Sequence, residues 1–182
     1  MVSVQELLRA KRDEIVRGWI DAAFGVFPAE SAGFLQKVKD PFANPMGNTI
    51  KEEIGFLFDA LVQSAPGEEI DPHLERIVQI TCVQDIEPSR SVAFIFELRE
   101  VLRRALASER KDRDVQERLL QFEARIDQLA LRAFDSHARL RQRISDIRVN
   151  EIKGRVSTLV KMAGLNWDDL PSSTPSQEGC GR

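Results

Sequence analysis

The sequence predicts an all-α protein, a bundle of five or six helices whose last member is much longer than the rest. Three observations carry this. Apolar residues recur by threes and fours along most of the chain, the spacing of one face of a helix. Val, Ile and Phe fall at these helical intervals rather than at the alternating ones of a strand. Residues 114–163 hold no proline and a single late glycine, Gly154, while Leu119, Phe122, Ile126, Leu129, Ala133, His137, Leu140, Ile144 and Ile147 step along them as a zipper-like seam. A helix of that length would span roughly 75 Å, so it serves either as the spine of a bundle or as an arm toward a partner.

The elements follow in order. A first helix is expected from about Val4 to Phe27, with Ile15, Trp19, Ile20, Ala23 and Phe27 on one face and Pro28 as its stop. A short helix near Ser31–Lys39 ends at Asp40-Pro41. The loop from Phe42 then leads into a third helix, where Thr49 with Glu52 has the capping-box pattern and Asn48 is the competing cap. Ile50, Ile54, Leu57, Phe58 and Leu61 form its inner face, and Ser64 to Glu69 end it. Asp71 reads as an N-cap with Pro72 in the first helical position. Pro88 opens the next helix, which runs through Phe94, Leu98 and Leu102 to about Ser108. Lys111-Asp112-Arg113 is a charged turn into the long helix.

These elements give one helical domain over residues 1–164, including the long helix 114–163. Residues 165–182 are expected to be a disordered tail, because their Pro/Ser/Gly-rich composition offers little to bury. The 182 residues are 42% hydrophobic and 30% charged, with a net charge of −3, which suits a water-soluble domain and excludes a whole-chain signature of nucleic-acid binding. No apolar run approaches the roughly 20 residues that cross a bilayer, and Val2–Arg12 is amphipathic rather than a secretory leader, so a cytoplasmic location is expected. Cys82 reads as a small buried hydrophobe, and Cys180 stands apart from it in the tail.

Chemistry is hard to find. No Cys-x-x-Cys or Glu-x-x-His pair offers metal ligands, and no phosphate loop or nucleophile elbow is present. Glu52-Glu53 and Glu68-Glu69 read as acidic residues at helix starts or in loops, where they favour the positive end of a helix dipole. No catalytic residue, metal site or cofactor is assigned. His137 is the residue of interest, because it occupies a seam position between Ala133 and Leu140. It is either a partly buried imidazole bonded to a neighbour such as Asp135 or a carboxylate on another helix, or a haem ligand or pH-sensitive element in the seam, with Phe134 beside it as a ligand-binding candidate. His73, in what reads as a first helical turn, is expected to be exposed. Phe34, Phe42, Phe56, Phe58, Phe94, Phe96 and Phe134 form either plain core or the lining of a cavity.

Two stretches resemble a known family. Phe42-Ala43-Asn44-Pro45-Met46-Gly47-Asn48-Thr49-Ile50 is similar to the signature loop of the amino-terminal sensory domain of RsbRD-type co-antagonists, the input proteins of bacterial stressosomes. Arg148-Val149-Asn150-Glu151-Ile152-Lys153 with Arg155, preceded by Ala133-Phe134-Asp135, resembles the end of that domain, where its exit helix leaves. With Phe94-Ile95-Phe96 between them, the resemblance covers roughly residues 5–164. It implies a globin-like helical input module without haem, which dimerises and signals through the exit helix to a STAS domain. After Leu165 only 17 residues follow, too few for a STAS domain, so the expectation is an input domain acting through a separate partner. In this frame Asn44, Pro45, Gly47, Asn48 and Thr49 are structural loop residues. Arg148, Asn150, Glu151 and Lys153 become the candidates for docking a partner.

The expected function is therefore a non-enzymatic signalling module, homodimeric through its long helix, which binds a STAS-domain or other regulatory protein and neither nucleic acid nor membrane. The alternatives are a small-ligand- or haem-binding helical sensor and an accessory protein of a metabolic complex.

Overall fold

The computed structural model describes residues 3–38, 40–109 and 113–162. Among them are seven helices and no strand: α1 (Val4–Ala10), α2 (Arg12–Phe24), α3 (Ala29–Lys37), α4 (Pro45–Gln63), α5 (Gly67–Val83), α6 (Pro88–Ala105) and α7 (Arg113–Met162). The Lys111-Asp112 turn and the expected tail from residue 165 lie outside the described residues.

The count is seven rather than five or six because the first predicted helix is two. Lys11 leaves helical geometry at φ −103°, ψ 15°. Its ammonium donates to the Ala105 carbonyl in the last turn of α6 and pairs with Glu109 at 3.0 Å. A cation at the carbonyl end of a helix is favourable there. α1 opens with a capping box in which Ser3 and Glu6 bond each other's backbone N–H. α2 stops at Phe24, and Pro28 is the N-cap of α3 rather than the end of a continuous first helix.

A second correction concerns α5, which begins at Gly67, so Pro72 lies inside the helix and Asp71 does not cap it. The reason is tertiary. Arg132 of α7 binds both Asp71 carboxylate oxygens, at 2.8 and 2.9 Å, and lies over Gly67, where a Cβ would sit 1.9 Å from Nη2. Glycine leaves room for that guanidinium, and Glu68 and Glu69 in the first turn favour the positive end of the helix dipole.

The chain divides into two units, one ending at Arg141 and the other beginning at Gln142. In the first, α2 packs against α6 and α4, and α4 against α5. Ile15, Trp19, Ile54, Leu57, Val78, Ile95 and Leu98 are fully buried at its centre. The Trp19 indole N–H donates to the Phe94 carbonyl at 2.8 Å, which satisfies a polar group that burial would otherwise penalise. The apolar seam of α7 also belongs to this core. Leu119, Phe122, Ile126, Leu129, Ala133, His137 and Leu140 are all buried, and Arg125 donates to the Leu61 carbonyl at 2.9 Å. The seam therefore folds against its own unit as far as Leu140. The second unit is described through residues 142–162, the last 21 residues of α7, of which Ile144, Ser157 and Val160 are half-buried and the others exposed.

Candidate functional site

The loop before α4 is organised by Asn44, which is 2% exposed. Its side-chain oxygen accepts from the Gly47 N–H at 2.9 Å, and its amide donates to the Leu35 and Val38 carbonyls at 3.0 Å each. One side chain thus caps α4 and ties down the end of α3. Pro45 takes the first helical position, where its missing N–H costs nothing. Gly47 lies so close that a Cβ would meet the Asn44 amide at 2.4 Å. The cap expected at Asn48 or Thr49 is therefore at Asn44. Thr49 lies inside the helix with its hydroxyl on the Pro45 carbonyl at 3.0 Å, and Asn48 donates to Glu52 at 2.7 Å.

A second cluster joins α4 to α5. Glu53 is not an acidic residue at a helix start: its side chain is 8% exposed. One carboxylate oxygen meets His73 Nδ1 at 2.5 Å and the other accepts from Arg76 at 2.6 Å. Phe56 stacks on the His73 ring with centroids 3.4 Å apart and planes 16° apart. His73, expected to be exposed, is only one quarter so. Among the described residues no group of three or more His, Cys, Asp or Glu could hold a metal ion.

His137 is 1% exposed, and its partner is the Ile86 backbone rather than a carboxylate. Nε2 has no hydrogen-bond partner among the described residues, and neither has the buried Ser136 hydroxyl. Burial holds the imidazole below its ordinary value of 6.5, the Ile86 hydrogen bond opposes this, and the Arg141 charge adds to it. A folded state that resists this proton loses stability as the unfolded chain takes it up. Stability is therefore expected to fall as the pH drops through about 6.5, and His137→Phe to flatten that fall in denaturation curves run from pH 8 to pH 5. Phe134, one turn away, is 54% exposed, so the two side chains do not line one enclosed space.

The other phenylalanines divide in the same way. Phe58 and Phe94 are core, while Phe34, Phe42, Phe56 and Phe96 reach solvent, so the seven form neither a common core nor a common lining. Cys82 is buried, which pushes its thiol above the ordinary value. In a Cys180→Ser background it is expected to resist thiol reagents until denaturant is added.

Arg148, Asn150, Glu151 and Lys153 are all exposed on the second unit, with Glu151 bound to Arg155 at 2.6 Å. Among the described residues Arg148 and Lys153 have no ion-pair partner.

The model of one family, the RsbT co-antagonist protein rsbRD N-terminal domain, matches residues 13–152. The chain belongs to this family. The match takes in the Asn44 loop, the Glu53 cluster and His137, and it ends in the second unit beside Glu151. No curated protein and no solved structure matches the chain. The RsbRD N-terminal domain is a regulatory domain rather than a catalytic one. Among the described residues no helix is long and apolar enough to cross a membrane.

Proposed function

We propose that this chain is a non-enzymatic, cytoplasmic input module of the stressosome type, which acts by binding another regulatory protein. The observation that carries the reading is the family match over residues 13–152. The first unit supports it, because its buried carboxylate, Glu53, is taken up in holding α4 to α5 through His73 and Arg76. The reading includes the globin-like fold that the family resemblance implies. It also includes a homodimer formed on the outer side of α7, where Leu120, Leu131 and Phe134 stand exposed along one face that Ala124 and Ala138 share. Phe134 then serves a protein contact. Output passes through Arg148, Asn150, Glu151 and Lys153 to a STAS-domain or other regulatory protein. The test is recovery of the tagged chain from its native cells, with its companions identified by mass spectrometry. STAS-domain proteins or a switch kinase are expected, and a metabolic complex alone would overturn the reading in favour of an accessory role.

The buried Nε2 of His137, which has no hydrogen-bond partner among the described residues, favours a second reading, a sensor that binds a small ligand or haem at that nitrogen. Addition of haem to the purified chain tests the haem form. A Soret band that His137→Phe removes would support it, and an unchanged spectrum would reject it.

A further inference from the structure

The second unit carries a short seam of its own. Val149, Ile152, Val156 and Leu159 are spaced by three, four and three residues, and all are exposed, from 38% at Val156 to 65% at Leu159. The spacing places Val149 and Val156 at a positions of a heptad and Ile152 and Leu159 at d. Valine at both a positions with leucine at one d position, Leu159, suits a two-stranded coil, while the other d residue, Ile152, is itself β-branched. The flanking e and g positions choose the partner. Arg148 and Arg155 take the two g positions, Lys153 takes an e position and Val160 the next, so every charge flanking this seam is positive. Arg155 is already paired with Glu151, on the side away from the seam, whereas Arg148 and Lys153 have no ion-pair partner among the described residues. The one acidic e position, Asp146, lies a heptad earlier and is bound by Gln142 at 2.8 Å.

A second copy fits this seam badly. In a parallel pair Arg148 of each copy would face Lys153 of the other, and in an antiparallel pair arginine meets arginine and lysine meets lysine. We infer that the occupant of this seam is an amphipathic helix of another protein, with aliphatic residues at a and d and Glu or Asp at e and g. The inference rests on the input-module reading above and gives its output contact a chemistry.

The test uses the full-length chain and two synthetic helices of about four heptads, alike in Val at a and Leu at d. One carries Glu at every e and g position, the other Lys. Isothermal titration at low salt is expected to show the acidic helix binding about tenfold or more tightly than the basic one, with the preference shrinking as salt rises. Arg148→Glu with Lys153→Glu and Arg155→Glu should invert the preference. Ile152→Asn with Leu159→Asn should abolish both affinities, with circular dichroism checking that each variant keeps its helix. Equal binding of the two helices, or binding of neither, overturns the inference. So does self-association that Ile152→Asn with Leu159→Asn abolishes, since that makes the occupant a second copy. If the helices show no charge preference while regulators are still recovered with the chain, this inference fails and the input-module reading stands. Selective binding of the acidic helix without recovery of any regulator supports the charge-matched seam and leaves the module reading to fail alone.

Discussion

Replacing Asn44 by alanine is expected to remove roughly 3 kcal/mol of stability, or roughly 9 °C of melting temperature for a domain of this size. The magnitude follows from what one side chain does. Loss of the N-cap bond to the Gly47 N–H costs about 1 kcal/mol. Loss of the amide also strands the Leu35 and Val38 carbonyls at the end of α3, where water has limited access. Each stranded acceptor adds about 1 kcal/mol. Asn44→Asp separates the two roles. Its carboxylate can still cap α4 but cannot donate to the carbonyls, so it should fall between wild type and Asn44→Ala. Gly47→Ala should cost nearly as much as Asn44→Ala, because its methyl must displace the Asn44 side chain from all three bonds. Gly47→Ala in an Asn44→Ala background should then cost far less than it does alone. Urea denaturation of the four variants measures these differences. Additive losses would show that the two residues do not work through one another.

The helix faces were legible in the sequence because burial imposes a period, and Ile50, Ile54, Leu57, Phe58 and Leu61 lie where the period puts them. The long helix was legible for the same reason: its described span, Arg113–Met162, begins one residue before the expected 114, and residue 163 lies outside the described residues. The start of α4 was not placed correctly, although its signal is present. Asn44-Pro45 is a cap followed by a first-position proline, and it outranks the looser Thr49–Glu52 pattern once Gly47 is seen to leave space for it. The break at Lys11 has no local signal, since it follows from a reach to Ala105 more than ninety residues away. Asp71 likewise looks like a cap until Arg132 claims it. Charge at the candidate site follows the same division. Glu53 falls within the inner stripe of Ile50, Ile54 and Leu57, which marks it as a buried carboxylate in need of partners. The identity of those partners depends on how α4 packs against α5.

That dependence sets the second large effect. Removing both partners of Glu53, by His73→Ala with Arg76→Ala, is expected to cost roughly 3 kcal/mol, because an ionised carboxylate is left in a site where it is 8% exposed. Each single variant should cost less than half of that, since the carboxylate keeps one cationic or hydrogen-bonding neighbour. His73→Ala should be the more costly of the two, because it also removes the stack on Phe56. The double loss should therefore exceed the sum of the single losses, which is the signature of a shared partner rather than of two independent contacts. Adding Glu53→Leu to the double variant removes the stranded charge and should recover most of the stability, even though three polar residues are then gone. Adding Glu53→Gln should recover less, since a buried amide still needs hydrogen bonds. Chemical denaturation of the five variants decides the point. If Glu53→Leu fails to rescue, the cost lies in lost packing between α4 and α5, and the charge of Glu53 is carried by water instead of by His73 and Arg76.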